Sequence, residues 1–351
     1  MDYETVSQEK QMISDAWLSK KIGNMVLCLA CSHLCRLQEG QYGICGVRKV
    51  ENDKLKLTVY ADVTAINLDP IEKKPLFHFL PGSGALSIGT VGCNFACSFC
   101  QNYEISQLTK KQKGALPGRK LLPDELAGLA KSYGAKSIAY TYNEPAVFFE
   151  YAYDCAVAAK KVGLKNIFIT NGYETRQAID KISPYLDAMN IDLKSFSDKF
   201  YQNLCNGRVA PVLECIKYAY GKGIWIELTT LLIPGKNDSD EEIRSIARFI
   251  ADLDNRIPWH ISAFYPTYKL TNIPPTPPST ILKGYRIAKQ EGLKHVYVGN
   301  LNKSQYESTY CPECGKMVIS RSGHIGNNLN NMLKNGCCPF CGYKIEGIWQ
   351  S

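Results

Sequence analysis

From residue 85 onward, short apolar runs rich in β-branched residues alternate with stretches whose apolar residues recur at helical spacing. The strand-like runs are 85–91, Ser137–Tyr142, Asn166–Thr170, Ala188–Leu193, Ile224–Ile233, Trp259–Phe264 and His295–Val298. Helix-like stretches lie near 123–133, 145–162, 174–182, 209–221, 239–253 and 279–290. Pro123-Asp124-Glu125-Leu126 and Ser239-Asp240-Glu241-Glu242 read as helix starts, with acidic residues in the first turn where the helix dipole favours them. Strict alternation predicts parallel strands joined by right-handed crossovers. Six or seven repeats fall short of the eight in a closed barrel. The expected fold is therefore α/β, a partial (β/α) barrel with a lateral opening.

Three parts are expected. Residues 1–54 form a cysteine-rich segment, 55–300 the partial barrel, and 301–351 a small C-terminal module. Within the second part, 55–60 reads as a short strand or hairpin, followed by an extended loop over 69–76. Leu301 to Ser308 is polar and linker-like.

Composition narrows the class. Of 351 residues, 45% are hydrophobic and 21% charged, ordinary for a soluble globular chain. The start (Met1-Asp2-Tyr3-Glu4) has neither a basic nor an apolar leader region. No apolar run approaches a membrane span; the best, Ile224 to Ile233, is interrupted by Glu227 and two threonines. Fifteen cysteines in such a chain point to a cytoplasmic protein with metal-binding thiols rather than disulfides, and to an anaerobic host. The net charge of +8 permits an anionic partner such as tRNA without arguing for one, so nucleic acid is not excluded.

The cysteines fall into three sets. Cys93, Cys97 and Cys100 form C-x3-C-x2-C directly after the first barrel strand. Thiolates are the ligands that iron–sulfur clusters select, and three of them leave one metal position open to a non-protein ligand. Cys28, Cys31, Cys35 and Cys45 sit in one glycine-punctuated segment, where zinc is the default guest, an auxiliary iron–sulfur cluster its rival, and His33 a substitute ligand. Cys311, Cys314, Cys338 and Cys341 form two C-P-x-C-G knuckles, a zinc-ribbon or rubredoxin-like pattern holding zinc or iron. Cys155, Cys205 and Cys215 read as small buried hydrophobes.

Active sites of such barrels collect at the C-terminal strand ends. Those ends carry Asn143 and Glu144, Thr170 and Asn171, and Asp192 and Lys194. A carboxylate beside an amide suits an ammonium, a lysine suits a carboxylate, and threonine or asparagine suits hydroxyls. Each has a plainer role as well: Asn143 as the cap of the following helix, Asp192 with Lys194 as an ion pair. His260 reads equally as a packed residue or a substrate contact.

The C-x3-C-x2-C loop resembles the signature of the radical S-adenosylmethionine (SAM) enzymes. The resemblance implies a 4Fe–4S cluster on Cys93, Cys97 and Cys100, with SAM chelating the fourth iron and Phe99 beside the adenine. The barrel is similar to pyruvate formate-lyase-activating enzymes in Asn143-Glu144, Thr170-Asn171-Gly172 and Asp192-Leu193-Lys194. Ile169 stands where those activases carry an aspartate that helps hold a cation. Over nearly the whole chain the closer resemblance is to the "AmmeMemoRadiSam system radical SAM enzyme" family, through Asp69 to His78, Gly92 to Asn102 and Val296 to Asn300. The implied chemistry is reductive cleavage of SAM to a 5′-deoxyadenosyl radical that abstracts hydrogen. The implied partners are an electron donor such as flavodoxin or ferredoxin and a protein, tRNA or small-molecule substrate. The rival class is a non-catalytic zinc protein that binds nucleic acid, although the C-terminal module lacks the interleaved basic and aromatic residues for that role.

Overall fold

The computed structural model describes residues 12–112, 118–301, 303–322 and 328–350. The chain's first residues and residues 323–327 of the expected C-terminal module lie outside them. Eight strands form one sheet: β1 (Ala65–Pro70), β2 (Gly84–Gly89), β3 (Ser137–Tyr140), β4 (Lys165–Thr170), β5 (Ala188–Asp192), β6 (Trp225–Leu232), β7 (Trp259–Ala263) and β8 (Val296–Gly299). They lie side by side in sequence order, and the two edges, β1 and β8, do not pair with each other. From β2 to β8 all neighbours are parallel. Crossovers carry α1 (Pro123–Ser132), α2 (Phe149–Lys161), α3 (Arg176–Ile182), α4 (Val209–Gly221), α5 (Asp240–Asp254) and α6 (Pro278–Gln290). This is the open, mostly parallel α/β arrangement that the alternation predicts. All four residues of β3 are buried, as a strand covered on both faces requires.

Strand β1 departs from the expectation. It runs antiparallel to β2, with Ala65 opposite Gly89 and Pro70 opposite Gly84, so part of the expected 69–76 loop is strand. Its Asn67 and Leu68 are exposed, and such an edge strand has no apolar alternation for a sequence reading to find.

After β1 the chain turns into the barrel. The N–H groups of Phe77 and His78 donate to the Glu227 carboxylate on β6 at 2.9 and 2.7 Å, and Asn190 Nδ2 on β5 donates to the Pro75 carbonyl at 2.8 Å. Ile71, Leu76 and Phe79 pack against Ala139, Ile167 and Ala188, whose small or slender side chains leave room for them. Residues 71–79 thus plug the barrel at the N-terminal ends of its strands.

The C-terminal module docks under this plug. Ile348 N–H donates to the His78 carbonyl and Leu80 N–H to the Ile348 carbonyl, both at 2.7 Å. Arg321 donates to the Phe77 carbonyl at 2.7 Å, and Arg256 pairs with Glu346 at 2.9 Å. The expected linker contains a helical turn, Ser304–Glu307, whose Tyr306 ring packs against Tyr285 of α6 at 5.0 Å.

At the opposite end, residues 12–57 form a cap of short antiparallel strands. The strand Lys54–Leu57 pairs with Arg48–Glu51, so a boundary after residue 54 cuts through a hairpin. The cap is fastened by the buried Arg48–Glu150 pair, at 2.5 Å, and by Arg48 Nε donating to the Val147 carbonyl at 3.1 Å. Among the described residues no helix is long and apolar enough to cross a membrane.

Candidate active site

The loop after β2 carries Cys93, Cys97 and Cys100. Asn143 at the end of β3 staples it, its Nδ2 donating to the Gly92 carbonyl at 2.8 Å and to Thr90 Oγ1 at 3.1 Å. From the other side the loop donates from Ala96 N–H and Ser98 N–H to the carbonyls of Cys205 and Leu204, at 2.8 and 2.9 Å. Those acceptors lie in a π-helical turn, Tyr201–Cys205, a distortion that recurs at functional sites. Asn143 therefore does not cap the next helix; Glu144 does, accepting from Ala146 N–H at 3.1 Å.

The loop forms one wall of a cavity of about 350 Å³. Every sequence-predicted site residue on the loop and strand ends lines it except Glu144: Phe99, Asn143, Thr170, Asn171, Asp192 and Lys194 face the same space as the three thiols. Burial pushes the Cys93 and Cys100 thiols up. A hydrogen bond with Cys205, then burial, does the same for Cys97. Thiolates form here only if a cation neutralises them. The three are too widely spaced to close on one ion: among the described residues, only the C-terminal cysteines bring three or more such ligand atoms within 4.8 Å of one another. No fourth cysteine lines the cavity. Three spaced thiols and no fourth fit a cluster with one iron left open.

Glu144 is the correction. It is fully buried and accepts from Asn171 N–H at 2.8 Å and Thr170 Oγ1 at 2.9 Å. Thr170 Oγ1 also lies 2.6 Å from Glu174. Two carboxyls thus converge on one hydroxyl, and burial first, then the Glu174 charge, pushes Glu144 well above the usual carboxylate range. It braces the turn that presents Asn171 and does not face the cavity as an anion. Lys194 behaves as expected of a charged group: burial opposes its ammonium, but Asp192 at 2.8 Å outweighs it and keeps the proton on. Asn171 Nδ2 donates to Asn94 Oδ1 at 2.7 Å, which leaves Asn171 Oδ1 buried without a partner. Asn171 lines the cavity, while its Oδ1 is buried beneath the wall.

Sequence reasoning missed Lys73, Asn102, Tyr142, Thr229, Ser262 and Asn300, which also line the cavity. Asn102, Lys73 and Asn300 lie in the three stretches that carry the family resemblance, which was the available signal. Tyr142 has φ +66, a strained backbone at a strand end that only coordinates reveal. His260, on β7, packs against Phe77 of the plug and does not line the cavity; its Nε2 is 2.7 Å from Glu227 Oε2.

The remaining cysteines divide. Cys311 Sγ is 3.6 Å from Cys341 Sγ, and Cys314 Sγ is 3.7 Å from Cys338 Sγ. A tetrahedron of thiolates about 2.3 Å from one ion has edges of about 3.8 Å, so this set could hold a single metal ion. Cys28, Cys31, Cys35 and Cys45 instead face a small enclosed space between the cap and the loop of Cys93. Cys155 and Cys215 are buried in the core, and Cys205, also buried, lies beside Cys97.

Residues 87–250 match the family model described as the radical SAM superfamily. An uncharacterized protein of Methanocaldococcus jannaschii is 40% identical over 324 residues, spanning 92% of this chain and 96% of that protein. Pyruvate formate-lyase 1-activating enzyme of Escherichia coli is 24% identical over 225 residues, 59% of this chain and 89% of that enzyme. Among solved structures, a radical SAM methyltransferase of Sphaerobacter thermophilus, 18% identical, aligns over 68% of this chain and 71% of its own with a TM-score of 0.49. The thiols that the fold gathers at one cavity are those of the matched stretch, and the chain belongs to the radical SAM superfamily.

Proposed function

We propose that this protein cleaves SAM reductively to abstract hydrogen from a protein substrate, in the manner of the glycyl-radical-enzyme activases. The single observation that carries the reading is one cavity lined by three spaced thiols and by strand-end groups complementary to SAM. When bound, a 4Fe–4S cluster on Cys93, Cys97 and Cys100 supplies the electron that SAM cleavage needs. The chain's own residues bind and orient. Lys194 meets the SAM carboxylate and Asp192 its ammonium or a ribose hydroxyl. Asn171 and Thr170 lie beside the ribose, and Phe99 packs against the adenine. Asn143 acts through the cluster loop that it staples. Likeness to the E. coli activating enzyme supports a protein substrate, and a flavodoxin- or ferredoxin-type donor suits the electron supply. Zinc suits the C-terminal thiol set, whose compact tetrahedron closes the coordination sphere. A colourless zinc-only protein would leave the spaced trio and its cavity without a purpose.

The test is anaerobic reconstitution with SAM and dithionite. The expected product is 5′-deoxyadenosine, absent in Cys97→Ala. Undiminished product in that variant sinks the assignment. Incubation with a deuterium-labelled lysate then asks which fraction transfers label: transfer from protein supports the activase reading, and transfer only from tRNA or small metabolites overturns it.

A further inference from the structure

The cap contains four thiols that the proposed reaction does not use. Cys28 and Cys31 leave the strand Met25–Cys28, Cys35 precedes Arg36–Leu37, and Cys45 follows in the next turn. All four face one enclosed space on the inner side of the cap. The point where a Cβ on Gly43 would sit is 3.7 Å from Cys35 Sγ and 3.8 Å from Cys45 Sγ, so those two sulfurs flank the same backbone turn. Backbone N–H groups of Ala30, His33 and Ile44 are directed at the sulfurs of Cys28, Cys31 and Cys35. That pattern stabilises bound thiolate.

The spacing selects the guest. A single tetrahedral ion draws four sulfurs to about 3.8 Å of one another and leaves no space between them. No three of these sulfurs lie within the 4.8 Å that the C-terminal set meets, and the space among them is about 10 Å³, so a cluster enters only as the thiol side chains turn outward. A cubane spreads its cysteines further, because each binds a different iron. His33 does not compete as a ligand through Nε2, which lies 3.0 Å from the Asn94 carbonyl.

The site lies directly behind the first. Gly92, which precedes Cys93, has φ +89, and a Cβ on it would meet the Cys45 carbonyl at 2.8 Å. Lys110 Nζ donates to the carbonyls of both Ile44 and Cys93, at 2.6 and 2.7 Å. We infer that Cys28, Cys31, Cys35 and Cys45 hold a second 4Fe–4S cluster, fully ligated by protein and packed against the SAM-binding one. With no open iron, it does not bind SAM.

The experiment uses the full chain, purified anaerobically, and the triple variant Cys93→Ala/Cys97→Ala/Cys100→Ala, which leaves the cap untouched. The triple variant is expected to keep about half of the parent's iron and acid-labile sulfide, as one of two equal clusters would. After dithionite it is expected to show a reduced-cluster electron paramagnetic resonance signal that SAM does not perturb. Adding Cys28→Ser and Cys45→Ser should remove that iron while zinc content stays constant, with circular dichroism confirming a folded barrel. A triple variant free of iron, or a second equivalent of zinc per chain, overturns the inference. So does a signal that SAM shifts. Absence of 5′-deoxyadenosine from the parent would instead count against the proposed function alone.

Discussion

Each end of the barrel carries a cysteine-rich module with four thiols, and the two sit in different surroundings. Among the described residues, the fully buried core of the C-terminal module is Cys311, Val318, Ile319, Cys338 and Ile345, two of which belong to the thiol set that could hold a metal. A metal there would take the place of hydrophobic burial. The N-terminal cap shares the barrel's main core through Leu18, Val26, Val47, Val50, Leu55 and Leu57. Its thiols gather less closely than those of the C-terminal set. The contrast is between a module whose buried core is small and a cap that already shares the barrel's core.

The largest expected effect breaks the C-terminal side. Cys311→Ser with Cys338→Ser should release the metal and unfold the module, since structural zinc contributes on the order of 10–16 kcal/mol in small domains. Elemental analysis and limited proteolysis should show metal loss and cleavage beyond residue 303, while SAM cleavage with dithionite stays within about twofold. A protease-resistant module without metal would erase the contrast between the caps.

Next is the N-terminal fastening. Arg48→Met leaves Glu150 buried and uncompensated, which should cost about 3–5 kcal/mol in denaturant titration. A loss below 1 kcal/mol would mean that the cap stands without this pair.

A smaller effect tests the plug to which the C-terminal module docks. Burial opposes the Glu227 charge, but the hydrogen bond and charge of His260, the charge of His78 and the Phe77 N–H together outweigh it and hold the carboxyl below its ordinary 4.5. A depressed native value stabilises above the unfolded one and loses that contribution as pH falls through the native value. Glu227→Gln should cost about 1–3 kcal/mol at pH 7, with the gap from the parent narrowing below about pH 4.5. A gap independent of pH would remove the charge from the account.

The smallest effect concerns the cavity. Asn171→Ala should weaken SAM binding by about 0.5–1.5 kcal/mol, the net value of a neutral hydrogen bond, without changing the iron content. Calorimetric affinity equal to the parent's would take Asn171 off the SAM-binding surface.

Much of this was legible beforehand. The strands from β2 to β8 and the six crossover helices carry their periodicity in the sequence, because a parallel sheet covered on both faces demands continuous apolar runs. The three-thiol loop and the two knuckles were legible because their ligands are close along the chain. Strand β1 was not, since an exposed edge lacks a pattern. Nor was the plug, whose lock joins Phe77 and His78 to Glu227 across 150 and 149 residues.

By itself the sequence determined the kinds of group present and their local order: which strands exist, which thiols share a loop, and which strand ends are polar. Only the tertiary structure decided where those groups point and how far apart they lie. Glu144 and Asn171 show why. Both are polar residues at neighbouring strand ends, yet one turns inward to share a hydroxyl with Glu174 and the other lines the cavity and donates to Asn94. Side-chain direction there depends on contacts across 26 and 77 residues, and no local pattern encodes them. The spacing of four sulfurs is likewise set by what packs around them: the C-terminal four gather within 4.8 Å of one another and the N-terminal four do not.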